Sequence, residues 1–251
     1  MILDERLRAL FFWALKIPAH FFCRCWLSVV VTAQLCGCAQ TSAPLTEILT
    51  AVASEKFGTA SAAPFATHKP NPVYNYLRVE LEGHAPALLV LGYVDPHPQG
   101  DIEVWYSAQQ EVIKTQNGRI VGTAGLEVDW RTVQFPSSPP AWAARDSQGA
   151  TYQRRRDEMP GHHYGITDQV MLQPWQGMPP IHLPISLSEG QARTYVWFRE
   201  STLKTTAESL PPAWFAWGVR NGVSTVVYSE QCLSANYCLK LQRWPVQEGA
   251  L

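Results

Sequence analysis

From Tyr74 to Leu81, YNYLRVEL, the side chains alternate with a period of two: Leu77, Val79 and Leu81 face one way, Tyr76, Arg78 and Glu80 the other. That period predicts a strand. EGHAP turns the chain, and ALLVLGYVD, Ala87 to Asp95, follows as a nearly unbroken apolar run, expected to be a strand buried on both faces. After PHPQG, the stretches DIEVWYSA and EVIKTQ read as a third and a fourth strand. Asn117-Gly118 is the strongest hairpin signal in the chain, because a type I′ turn needs two residues that tolerate positive φ. RIVGTAG then returns as a fifth strand.

The pattern lapses from Phe135 to Met159, which reads as irregular, and resumes after His162. YGITDQVMLQP, IHLPISL and ARTYVWFRES have strand composition. PAWFAWGVRNGVSTVVYSEQCL repeats the earlier layout of strand, Asn-Gly turn and strand, which raises the prospect of two similar β units over about 73–134 and 162–251. Ahead of all this, Thr41 to Phe57 has helical spacing. Pro44 suits its first turn, Leu45, Ile48, Leu49 and Val52 share a face, and Gly58 can end it. Gly58 to Pro72 reads as a linker. The expected class is mainly β: antiparallel sheets forming a curved, open barrel-like or two-sheet architecture, with one short N-terminal helix. Curvature of that kind limits exposed strand edges.

A further apolar run, Trp26 to Leu35, follows Arg24. It is shorter than the roughly 20 residues that span a bilayer and suits the hydrophobic region of a secretory signal. It ends in Leu35-Cys36-Gly37-Cys38, which resembles the lipobox of bacterial lipoproteins. The resemblance implies cleavage before Cys38, a lipid on Cys38, and a membrane partner through that lipid. Ala39 stands after the cysteine where an Asp would signal retention, which implies the outer membrane. The expected divisions are a signal peptide, 1–37, an anchor, helix and linker, 38–72, and a β-rich domain, 73–251.

Composition narrows the possibilities. Lys and Arg number 20 against 21 Asp and Glu, with no basic tail, which argues against nucleic acid. Cys36 and Cys38 lack the further ligands of a closed zinc site, and no metal or other cofactor is expected. Cys232 and Cys238, in SEQCLSANYCLKLQRW, read as a local disulfide in an oxidising compartment, with two free thiols as the alternative.

Candidate chemistry is sparse. Asp101 and Glu103 are spaced to share a strand face, as a glycosidase pair would need, but they also read as a solvated strand start. His162 and His163 beside Tyr164 could do acid–base work of the lyase kind. Asp157 and Glu158 after Arg154, Arg155 and Arg156 read as a self-neutralised loop, although the arginines could meet an acidic polysaccharide. Aromatic side chains suit sugars, and Trp105, Tyr106 and Trp217 are candidates for glycan or partner contact. No G-x-S-x-G, H-E-x-x-H or phosphate-binding glycine loop occurs. A binding protein is therefore favoured over an enzyme.

The hairpin run from Tyr74 to Leu126 resembles the YjbF/GfcB family of lipoproteins. The matching parts are Pro72 to Tyr76, Leu91 to Tyr93, Trp105, and TQNGRIVGTAGL from Thr115 to Leu126; VVYSEQCL and LKLQRW fit the family's end. Cys232 departs from the pattern, standing where the family has a tryptophan. The resemblance implies a mostly β lipoprotein linked to operons that make or export capsular or extracellular polysaccharide, with polysaccharide and export-machinery proteins as partners. It implies no known reaction. A polysaccharide hydrolase or lyase, or a purely structural envelope lipoprotein, remain as alternatives.

Overall fold

Twelve strands succeed one another: β1 Tyr76–Leu81, β2 Ala87–Asp95, β3 Ile102–Tyr106, β4 Val112–Gln116, β5 Arg119–Ala124, β6 Asp129–Gln134, β7 Ala150–Met159, β8 His163–Trp175, β9 Val196–Thr205, β10 Ala213–Arg220, β11 Val223–Ser234 and β12 Tyr237–Trp244. A four-residue helix, α1 Glu189–Ala192, lies between β8 and β9. This computed structural model describes residues 71–143, 149–184 and 186–246. The expected signal peptide, Cys38, the helix over 41–57 and the linker after it as far as residue 70 lie outside the described residues.

All twelve strands form one antiparallel sheet in the order β5-β4-β3-β2-β1-β12-β11-β10-β9-β8-β7-β6. Each hairpin pairs sequence neighbours. The long-range ladder is β1 with β12, running from Tyr76 opposite Trp244 to Leu81 opposite Leu239. That ladder leaves β5 and β6, consecutive in the chain, as the two edges. They meet, so the sheet is nearly closed into a barrel: Trp130 donates its backbone N–H to Thr123 Oγ1 across the seam at 2.9 Å.

Both Asn-Gly pairs are hairpin turns with positive φ, 49° and 81° at 117 and 118, and 51° and 75° at 221 and 222. The stretches 73–134 and 162–251 both contribute strands to the single sheet, and β1 of the first is hydrogen-bonded to β12 of the second.

Three local expectations need correction. Phe135 to Met159 is not irregular throughout: Ala150–Met159 is a ten-residue strand. It escapes a hydrophobicity pattern because its inward positions carry Arg154, Arg156 and Glu158. IHLPISL is not a strand. Ile181 and Leu183 instead pack from outside against Trp197, Ala216, Val227 and Tyr228, with α1 seated beside them and Trp197 Nε1 donating to Ala192 O at 2.9 Å. Its apolar composition reflects burial as a strap over the sheet. Finally, β2 is buried on both faces only at Leu89 and Val90; its far end is open, with Tyr93 46% exposed.

The inner face carries the main core. Leu77, Val79, Leu89, Trp105, Ile113, Ile120, Trp130, Leu233, Leu239 and Leu241 form one cluster. Trp130 of β6 donates its ring N–H to Leu233 O of β11 at 2.9 Å, across the interior rather than along the sheet.

Candidate functional site

Strand alternation sorts the three consecutive arginines. Arg154 and Arg156 point inward and Arg155 outward. Inside, Asp168 accepts from Arg154 Nη2 at 2.8 Å, Arg156 Nε at 3.0 Å and Thr205 Oγ1 at 2.6 Å. Burial alone would push the Asp168 carboxyl up, but Arg154, Thr205 and Arg156 together hold it below the usual carboxylate value. Both guanidinium groups also lie over the Trp130 ring, at 4.7 and 5.1 Å from its centre. Arg156 also pairs with Glu158, so the run is partly self-neutralised as expected, but on a strand rather than in a loop.

Other inward charges are spent the same way. Arg119 donates to Glu200 at 2.8 Å and stacks 3.9 Å from the centre of the Trp142 ring. Arg243 pairs with Glu103, which also accepts from Thr115 at 3.0 Å. Glu103 is thus committed inside, while Asp101 is exposed beside the β2–β3 turn. Trp105 is 0% exposed and donates to Thr115 Oγ1 at 3.0 Å, so its ring has no face left for a ligand. Trp217 is half-buried, packed against the cluster of Trp142, Phe198 and Phe215.

His162 and Tyr164 lie on the exposed β7–β8 hairpin, with His162 Nδ1 3.2 Å from Tyr164 Oη. Cys232 and Cys238 are directly opposite on β11 and β12, with their sulfur atoms 2.00 Å apart.

The outer face holds two grooves of contrasting charge. One, of about 830 Å³, lies beside the β1–β2 turn and is lined by Glu80, Glu82 and Glu230 as well as His84, His182 and Lys240. Lys240 stands in register between Glu80 on β1 and Glu230 on β11, and donates to His182 O at 2.9 Å. Burial pushes the Glu230 carboxyl up. An ammonium between the two carboxylates is a poor arrangement for a pair that must flank a glycosidic bond.

The other groove, of about 550 Å³, runs over the seam. Its cations are Lys114 of β4, Arg131 of β6 and Arg155 of β7, and its lining includes no Asp or Glu. All three are exposed, and among the described residues none makes an ion pair. One end wall is the β2–β3 turn, held by Gln116 Nε2 donating to Gly100 O at 2.6 Å and by Asn117 Nδ2 donating to Gln99 O at 3.1 Å. Gln99 in turn donates to Phe135 O at 3.1 Å, which ties the turn to the chain beyond β6.

Register extends this surface sideways. Tyr93, Val104, Lys114 and Gly122 are successive cross-strand partners from β2 to β5. A Cβ on Gly122 would meet Lys114 Cδ at 3.4 Å and the carbonyls of Arg131 and Trp130 at 3.7 Å, so the lysine stem crosses the seam at a bare backbone position. At the other end Tyr106 lies flat over Gly92, where a Cβ would come within 2.5 Å of its ring, and the Tyr93 and Tyr106 ring centres are 6.5 Å apart. Of the residues singled out from sequence, Tyr106 and Arg155 thus fall on one outer face. Lys114, Arg131 and Tyr93 were missed, because each is an ordinary solvent-facing strand residue until the seam brings β4, β6 and β7 together.

Comparison with known proteins bears on this segment. Residues 70–185 match the family described as Group 4 capsule polysaccharide lipoprotein gfcB, YjbF. No curated protein matches the chain. Among solved structures, the hypothetical lipoprotein YmcC from Escherichia coli (K12) has the same fold, with a TM-score of 0.54 at 17% identity over 83% of this chain and 98% of that one. The matched residues 70–185, which are similar to that family, hold the whole seam groove and both tyrosines beside it.

Proposed function

We propose that the protein is an envelope lipoprotein, anchored in the outer membrane through Cys38, that supports assembly or export of an extracellular or capsular polysaccharide by binding glycan or an export partner rather than by catalysis. The match of residues 70–185 to a capsule polysaccharide lipoprotein family carries this reading. An oxidising compartment beyond the inner membrane also accounts for pairing Cys232 with Cys238. The inward carboxylates near the candidate chemistry are already paired with arginines, which supports binding over turnover.

The test uses the full chain purified in detergent and mixed with polysaccharide from the producing cells, followed by size-exclusion chromatography with light scattering. Co-elution with polysaccharide of unchanged length is expected, and intact mass should show a diacylglyceryl group on an N-terminal Cys38. A mature chain starting elsewhere would remove the anchor. Shortening of the polysaccharide with time would instead favour a modifying enzyme, for which the exposed contact between His162 and Tyr164 is the available acid–base pair. His162→Ala would then stop the shortening.

A further inference from the structure

The inner and outer cations of this barrel are treated differently. Arg119, Arg154, Arg156 and Arg243 each have a carboxylate partner. Lys114, Arg131 and Arg155 sit on one groove whose lining has none. Three uncompensated like charges on neighbouring strands repel one another, so an empty groove carries an electrostatic cost that an anion would relieve.

A blander role for such charges is to keep edge strands from pairing with other chains. Here β5 and β6 already cover each other, with Trp130 N–H bonded to Thr123 Oγ1 and room at Gly122 for a Cβ in ordinary contact, 3.7 Å, with the Trp130 and Arg131 carbonyls. Protection of the edge therefore does not require the cations. The groove is also pre-formed: the Gln99 bond to Phe135 fixes its end wall across the seam. Its open side leads along the sheet to the paired rings of Tyr93 and Tyr106, which offer apolar faces with hydroxyl tips.

We propose that the outer groove over the β5–β6 seam binds an anionic polysaccharide, with Lys114, Arg131 and Arg155 meeting its acidic groups and Tyr93 and Tyr106 stacking on sugar rings beyond them. The inference rests on the glycan-binding reading above and adds the charge class of the ligand and the surface that holds it. The alternation of an aromatic pair with a cationic groove suits a chain that is polar, ring-built and negatively charged. The larger groove beside the β1–β2 turn, with Glu80, Glu82 and Glu230, would repel the same ligand.

The test measures retention of the full chain in detergent on immobilised polygalacturonate, a carboxylate-bearing probe, and on neutral dextran. Retention on polygalacturonate alone, falling with added salt, is expected. Each of Lys114→Gln, Arg131→Gln and Arg155→Gln should weaken it by about two- to fivefold, the range for an exposed charge pair, and the triple variant should abolish it. Lys204→Gln, on exposed β9 away from the groove, should change nothing, and an unchanged melting temperature in the triple variant separates lost binding from lost folding. Equal retention on dextran, or a triple variant that binds like the wild type, overturns the assignment. A triple variant that loses binding to phosphatidylglycerol vesicles but not to polygalacturonate also overturns it, in favour of a lipid surface. If both wild type and triple variant hold polysaccharide from the producing cells, the glycan-binding reading stands and only the groove falls. If neither holds any polysaccharide, both fall.

Discussion

Arg154, Arg155 and Arg156 are chemically identical, and the pleat of a strand gives them different work. The outer two turn inward to Asp168, which is 1% exposed and accepts from both. Removing its charge would leave the part-buried Arg154 without a counter-charge and the buried Arg156 with Glu158 alone, so Asp168→Asn should cost about 3 kcal/mol at neutral pH, the low end for a broken buried pair. The pH dependence has a definite sign. The folded-state pKa of Asp168 lies below its unfolded value, so the unfolded chain binds more protons and stability rises with pH in that window. The contribution is complete above the ordinary value of about 3.9 and is lost as pH falls through the lower folded value. Denaturant unfolding at neutral and at strongly acid pH should therefore show a wide gap between wild type and Asp168→Asn that narrows in acid. A gap that stays constant would mean the asparagine damages packing instead of charge.

Hairpins show which parts of an element are written locally. The turns Asn117-Gly118 and Asn221-Gly222 have the same backbone form, but their surroundings differ. A Cβ on Gly118 would lie 2.5 Å from Val226 Cβ, in buried surroundings, and the Gly118 carbonyl accepts from Gln231 Nε2 at 2.9 Å. At Gly222 a Cβ would meet nothing within 4 Å. Gly222→Ala should thus cost only the left-handed backbone penalty of roughly 1–2 kcal/mol, while Gly118→Ala should cost clearly more, as read from paired melting curves. Both turns were legible in the sequence because φ > 0 selects Asn-Gly whatever lies nearby. The ten-residue β7 was not, because a barrel interior that pairs arginines with carboxylates erases the apolar–polar contrast on which period-two reading depends. IHLPISL failed in the opposite sense: apolar composition reports burial, and a strap across the outer face is buried without being a strand. The groove was legible only in Arg155 and Tyr106. Its other members come from strands whose adjacency is a property of the closed sheet.

That closure depends on one ladder. β1 and β12 are more than a hundred residues apart in sequence, and among the described residues theirs is the one strand ladder that joins β1 to β5 to the sheet of β6 to β12. If the stretches 73–134 and 162–251 were independent units, each would keep its own stability when the joint was weakened. If they are one sheet with a shared interior, weakening the joint should lower both together. Leu241 of β12 tests this, since it is 3% exposed, lies opposite Val79 of β1, and belongs to the cluster that includes Trp105 of β3 and Trp130 of β6. Leu241→Ala should cost about 2–5 kcal/mol through lost contacts and the cavity left behind. Hydrogen exchange would locate that loss. Core amides of β3 and β4 and those of β9 and β10 should lose protection by the same amount, because both exchange through the same global opening. A loss confined to one set would show that the chain opens in two units, and that the seam groove, built from β4 on one side and β6 and β7 on the other, can part without unfolding the rest.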